Sequence, residues 1–388
     1  MNNFVIKMDR IKLLGIVFFM FAIIAKGFGD AIIANINPYS TFNYVKYILL
    51  ILATFCFFSL KKNKKYFRRE CKALLFCYFC IFVISTFFSI YNSRFTSRTF
   101  KEMLFILVPI IFAYYALNAL SLKEIISIAK IAIIVFACSY FIEISSSFTL
   151  NGAIQAIKNF SLLGGQASFA YDSLESSAFP DAMMSLFCFF TYFNKGNKKW
   201  MWISYICILL MNKRFIVLFA TVLMIMVYVP YFKRVFNKTV NKKLYWIPVI
   251  IFTISPLIIC YLTDPAVESE IFHTYGFNLQ DFWMGRDEML QYYVNNHFLS
   301  YGLGSTFDFR GKLFELESVK FYFETTLVGS FLISFTYWKI VRKNFFTLLL
   351  MLYIFINMNT STSIITGAFA WVFYFILIGV VNKNERVN

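Results

Sequence analysis

"VKYILLILATFCFFSL", residues 45–60, decides the fold class. Apart from Lys46 near its start, it is almost uninterrupted aliphatic and aromatic sequence. "TGAFAWVFYFILIGVV", residues 366–381, reads the same way, and similar runs recur along the 388-residue chain between short charged connections. Overall the chain is 60% hydrophobic and only 15% charged. A water-soluble chain of this length needs far more charge to cover its surface. The pattern is that of an all-α integral membrane protein, a polytopic bundle of helices.

Twelve candidate spans can be placed, at residues 12–28, 44–60, 73–90, 103–120, 125–142, 179–194, 200–211, 215–231, 244–262, 321–337, 345–357 and 364–381. Several fall short of the roughly 20 residues that an upright helix needs to cross a bilayer, so these must extend into the interface or be broken. The N-terminus combines a basic start with an apolar stretch and lacks a small-residue cleavage pattern, which predicts an uncleaved first span.

Charge sets the expected orientation. The segments "KKNKKYFRRE" (61–70), "KGNKK" (195–199), "KRVFNKTVNKK" (233–243) and "KIVRKN" (339–344) and the tail "NKNERVN" (382–388) alternate with less basic ones. Assigning them to the cytoplasm places most of the 37 Lys and Arg inside, with Asp9, Glu70, Glu124 and Glu385 as the only acids there. Both termini are then cytoplasmic. The net charge of +17 is accounted for by these loops, so nucleic acid is not an expected partner.

Two outward segments are long, 143–178 and 263–320. The second holds nine acids alongside Arg286, Arg310, Lys312 and Lys320. A polar segment of that length without low-complexity character is expected to be folded and functional. No separate soluble domain and no internal repeat is apparent.

The motifs of soluble enzymes are missing. The chain has no phosphate-binding loop, dinucleotide glycine motif, nucleophile elbow or His-Glu-x-x-His. Its two histidines, His273 and His297, exclude a three-histidine metal site. "CYFC" (Cys77, Cys80) lies within an apolar run and reads as packing. Neither a metal nor a cofactor is expected.

The remaining candidates are polar groups on the outer side. In "ILLMNKRFIVLFATV" (208–222), Asn212, Lys213 and Arg214 interrupt an apolar run too long for one ordinary span. Lys213 and Arg214 mark either a turn at the lipid headgroups or an outward anion site, and arginine suits phosphate oxygens bidentately. In "WMGRDEMLQYYVNNHFLSYGLGS" (283–305), Arg286 either pairs with a neighbouring acid or binds an anion. Gly302 and Gly304 allow close backbone approach or an ordinary turn.

Carboxylates complete the set. Glu315 and Glu317 in "FELESVKFYFETTLVG" (314–329) stand just before the tenth span, and Glu175 lies in "YDSLESSAFPDAMMSLF" (171–187). On a helix Glu317 and Lys320 share a face and can pair. The alternative is that one of these carboxylates takes a proton from a substrate hydroxyl as a general base.

Taken in order, these pieces resemble the O-antigen polymerase and ligase superfamily of bacterial membrane glycosyltransferases. About twelve spans with a large outward loop between late spans is that family's layout. "LESSAFPDAM" is similar to its Glu-Pro-Ser-aromatic-Ala segment, with Ser176 where Pro is usual. "LLMNKRFIVLF" resembles its short basic turn between two spans. "GRDEMLQYYVNNHFLSYGLGS" resembles its Gly-Arg, aromatic helix, polar break and Gly-x-Gly. Ligases typically place His-Asn after the Gly-x-Gly; "FELESVKFYFE" stands here instead, which favours the polymerase branch.

The resemblance implies a periplasmic-face polymerase of O-antigen or capsular polysaccharide in the bacterial inner membrane. It would move a growing glycan from undecaprenyl diphosphate to a new lipid-linked oligosaccharide repeat unit, without a metal. Arg214, Arg286 and Lys213 would hold the diphosphate, and Glu317, Glu315 or Glu175 would activate the acceptor hydroxyl. Trp283, Tyr292, Tyr293 and Tyr322 would stack on sugar rings, with Gly302 and Gly304 in the substrate-binding segment. Membrane lipid and a polysaccharide chain-length regulator are the expected partners. A flippase or other transporter of lipid-linked oligosaccharide, and an O-antigen ligase, are the alternatives.

Overall fold

A computed structural model describes residues 2–36, 44–60, 66–145, 151, 179–236, 238, 245–341, 344–362, 364–365 and 367–384. Among these residues the chain is helical, with no strand. The helices in order are α1 (Asn2–Ile36), α2 (Val45–Phe58), α3 (Arg68–Tyr91), α4 (Arg98–Ala119), α5 (Leu122–Ile144), α6 (Pro180–Tyr192), α7 (Lys198–Leu210) and α8 (Arg214–Tyr228). They continue with α9 (Pro230–Val235), α10 (Trp246–Leu262), α11 (Pro265–Tyr275), α12 (Leu279–Trp283), α13 (Arg286–Asn295), α14 (Ser305–Arg310), α15 (Glu317–Val341), α16 (Phe345–Thr360) and α17 (Trp371–Asn384).

Each expected span overlaps a helix. Four stretches, Arg10–Ala31, Arg68–Tyr91, Arg98–Ala119 and Leu122–Ile144, are long and apolar enough to cross a membrane alone. The pair α10 and α11, bent by 82° at a short break, makes a fifth if counted together. Among the described residues the apolar helices α2, α8, α16 and α17 are shorter than an upright crossing requires.

Helix α3 explains how apolar sequence divides between protein and surroundings. Leu74, Cys77, Tyr78, Ile81 and Ser85 recur at helical spacing and are buried. On the other face Phe76, Phe79, Phe87 and Ile90 are 62–73% exposed. Such a stripe of bare phenylalanine costs too much in water, at about 25 cal/mol for each Å². Lipid is its natural solvent.

Helix α17 behaves differently because it is apolar all round. From Ala368 to Phe375 every residue is buried, and α17 packs on α4 and α6. Around it α1 packs on α2 and α5, α2 on α4, and α15 on α3, α10 and α16. Some buried polar residues pair across the bundle: Tyr78 and Tyr337 share a hydroxyl contact of 2.7 Å, and Asn382 donates to Glu70 at 3.1 Å. Lys26 and Lys46, two cations carried by apolar helices, converge on Asp30, with Lys46 Nζ at 2.6 Å.

The polar segment 263–320 folds into four short helices. Asp264 caps α11 by accepting from Ala266 N–H at 2.9 Å, Pro265 supplies its first turn, and left-handed Gly276 ends it. Met284 and Gly285 are both left-handed, and this double reversal starts α13 at Arg286. Trp283, Leu290, Tyr293, Phe314 and Leu316 form a small apolar core of their own under these helices.

Candidate functional site

The N-terminal ends of α2, α4 and α15 and the first turn of α13 line one cavity of about 720 Å³. Helix N-termini carry unsatisfied N–H groups and partial positive charge, which favours an anion among them. The side chains reinforce this. Lys46, Arg98, Lys101 and Lys320 come from the helices, and Arg286, Arg310 and Lys312 from the 284–315 segment. Among the described residues three carboxylates, Glu102, Glu315 and Glu317, line the same space.

These cations differ in what already neutralises them. Glu102 accepts from Arg98 Nε at 3.2 Å and from Lys320 Nζ at 2.5 Å. Lys320 also lies 3.4 Å from Glu324, so two carboxylates hold it. Arg286 Nη2 meets Glu315 at 2.9 Å while its Nη1 donates to the Trp283 carbonyl at 3.2 Å. Lys101, Arg310 and Lys312 have no carboxylate partner among the described residues; Lys101 sits 4.8 Å above the Tyr44 ring and Arg310 5.4 Å from the Tyr292 ring. The cavity therefore keeps surplus positive charge.

Of the residues expected from sequence, Arg286, Glu315 and Glu317 line this cavity together. Arg214 reaches its wall from the first position of α8: its Nη1 lies 3.4 Å from Sδ of Met284, itself a lining residue. Lys213 immediately precedes the same helix and stands close enough to Asp181 to act on its charge. Glu175 and most of 143–178 lie outside the described residues.

The two glutamates differ in circumstance. Glu315 is about half exposed and its one ion pair is with Arg286. Glu317 is 1% exposed, and its two carboxylate oxygens accept from the backbone N–H groups of Ile364 and Ile365, each at 2.6 Å. Glu317 N–H donates to the Ser361 carbonyl at 3.1 Å. Glu317 thus ties the start of α15 to the chain between α16 and α17.

The aromatics also separate. Trp283 and Tyr293 are core: the Tyr293 ring packs among Phe298, Phe309, Phe314 and Phe323, and its hydroxyl donates to the Thr306 carbonyl at 2.9 Å. Burial pushes the Tyr293 phenol well up, which keeps that proton in place. Tyr292 stays 41% exposed. Tyr322 lines a second, aromatic hollow with His297, Phe298 and Phe323.

Gly302 and Gly304 seat the segment on the bundle. A Cβ at Gly302 would stand 2.8 Å from the Ser85 carbonyl, and one at Gly304 2.8 Å from Arg98 Cγ. Both have positive φ, at 104° and 87°. Around them Asn92 donates to Ser300 O, Ser89 to Tyr301 O and Thr99 to Leu303 O, while Leu303 N–H donates to Ser85 Oγ. The close fit places Phe307 under the Arg98 guanidinium at 3.3 Å.

Arg98, Lys101 and Glu102 were not singled out from sequence. A signal existed: "SRTFKEM" (97–103) puts basic residues on the expected outer side, against the inward bias of the other loops. Among the described residues no group of three or more His, Cys, Asp or Glu is placed to hold a metal ion. Compared with known proteins, the chain matches no family model, no curated protein and no solved structure.

Proposed function

We propose that the basic cavity binds the diphosphate of a polyprenyl-linked glycan and that the protein is a membrane glycan polymerase of the bacterial inner membrane, working on its outer face. The observation that carries this reading is the meeting of Arg286, Glu315 and the surplus cations in one cavity, formed where helix ends of an apolar bundle converge. An anionic headgroup attached to a lipid tail is the ligand such a place suits, since the charge is met by cations and the tail by membrane. The resemblance of "GRDEMLQYYVNNHFLSYGLGS" and "LLMNKRFIVLF" to polymerase segments supplies the reaction.

In that reaction a hydroxyl oxygen of the acceptor glycan forms a bond to the donor's anomeric carbon, and the bond from that carbon to the diphosphate oxygen breaks. The diphosphate leaves with the bonding electrons. Arg286, with Arg214 behind Met284, stabilises the charge that gathers on its oxygens. Glu315, beside Arg286, takes the hydroxyl proton. Glu317 positions the start of α15 through its backbone contacts.

The test is expression of Arg286→Ala in cells lacking the native copy, with surface glycan resolved by length. A polymerase defect leaves single repeat units on the lipid core. Long chains of normal length would remove the assignment, and loss of all surface glycan would point to a transporter or ligase.

A further inference from the structure

The cavity is larger than one diphosphate needs, and apart from Lys46 and Lys320, which are paired with Asp30 and Glu102, its cations fall into two sets by the elements that carry them. One set, Arg286, Arg310 and Lys312, comes from the 284–315 segment and includes the Arg286 invoked above. The other belongs to α4, where Lys101 and Arg98 stand one turn apart on the same cavity-facing side. Arg98 shares the Glu102 carboxylate with Lys320, so its pair with Glu102 is not exclusive. Lys101 has no carboxylate partner among the described residues. Its amine is held over the rings of Tyr44 and Phe105, at 4.8 Å and 5.8 Å, so it is ordered without being neutralised.

The wall beside Lys101 is aromatic. Tyr47 and Phe105 stack with ring centroids 4.4 Å apart, and both line the cavity between α2 and α4. On the outside of the same two helices Ile48, Phe100 and Leu104 are 43–54% exposed and face the apolar surroundings of the bundle. A cation pair next to an aromatic wall, at a seam between two lipid-facing helices, is matched to a phosphate group with an isoprenoid attached.

We propose that Lys101 and Arg98, with the Tyr44–Tyr47–Phe105 wall, form a second anion subsite that takes the diphosphate of the acceptor lipid while the Arg286 set takes that of the donor. This rests on the polymerase reading, in which both substrates are lipid diphosphates and must be held together for one glycan to be transferred to the other. A cavity of about 720 Å³ lies within the range that encloses a drug-sized ligand, so it has room for two compact headgroups.

The experiment is calorimetric titration of the full-length protein in detergent with geranyl diphosphate. Wild type is expected to bind two equivalents. Lys101→Met should weaken one of them about tenfold or more and spare the other, Arg286→Ala should do the reverse, and Lys101→Arg should keep both. If Lys101→Met does not fold, as judged by its melting profile, Lys101→Gln replaces it. A single equivalent in wild type, or two unchanged equivalents in the Lys101 variant, overturns the second subsite and leaves the polymerase reading standing. Wild type that binds no geranyl diphosphate overturns both, at the level of the cavity itself.

Discussion

Arg214 Nη1 lies 3.4 Å from Sδ of Met284, two residues before Arg286. Two arginines far apart in sequence, one at the start of α8 and one at the start of α13, are thereby tied to the same wall of the basic cavity. If both act on one leaving diphosphate, their effects are coupled. Arg214→Ala and Arg286→Ala should each slow polymer formation by about a hundredfold, and the double variant should lose less than the product of the two. Initial rates with a lipid-linked repeat unit give the cycle; strictly multiplicative losses would separate the two residues.

Glu315 and Glu317 separate into two roles that substitution can tell apart. Glu315 is half exposed and its pair with Arg286 contributes at most about 1 kcal/mol to stability. Glu315→Gln should therefore melt close to wild type and bind pyrophosphate at least as tightly, yet turn over about a hundredfold more slowly. Unchanged turnover in this variant would take the proton-accepting role away from Glu315.

Glu317→Ala should instead be a stability variant. It leaves the buried N–H groups of Ile364 and Ile365 without their acceptors, a cost of about 3 kcal/mol or more. Glu317→Gln, which keeps one acceptor oxygen, should fall between the two. Denaturant unfolding in detergent measures the order; equal stability of Glu317→Ala and wild type would contradict the contacts.

Glycines with positive φ fall into two groups. At Gly302 and Gly304 a methyl group meets the Ser85 carbonyl and the Arg98 side chain at 2.8 Å, whereas at Gly311 it meets nothing within 4 Å. Gly311→Ala carries only backbone strain, about 1 kcal/mol. Gly302→Ala must also displace α3 and should lose clearly more stability. Gly304→Ala should in addition shift Arg98 and weaken anion binding. Similar losses at all three positions would mean that the close seating on α3 and α4 is not what these glycines provide.

Much of the helical layout was legible because apolar runs and their charged ends are written locally, as in α3 and α17. Arg286 and Glu315, which line the cavity, could be singled out for the same reason: polar side chains in a chain this apolar stand out. Trp283 and Tyr293 were not, since an aromatic in a polar segment has the same local signature whether it stacks on a ligand or packs under a helix. Nor was the kink in α15 at Thr326, a β-branched residue at φ 61° where a regular helix would be expected. Only the tertiary surroundings impose that conformation. Lys101 and Glu102 belong to the site through α2 and α15, elements remote from them in sequence, and no spacing rule connects the three.

The most direct test of the central claim is reconstitution of the purified full-length protein in liposomes with an undecaprenyl-diphosphate-linked repeat unit, followed by separation of the glycan by length. The account predicts a ladder of multiples of the repeat unit, with lipid diphosphate released for each bond formed, and no ladder with Arg286→Ala. A repeat unit that stays single with the wild-type protein, or that crosses the bilayer without being joined to another, would contradict it.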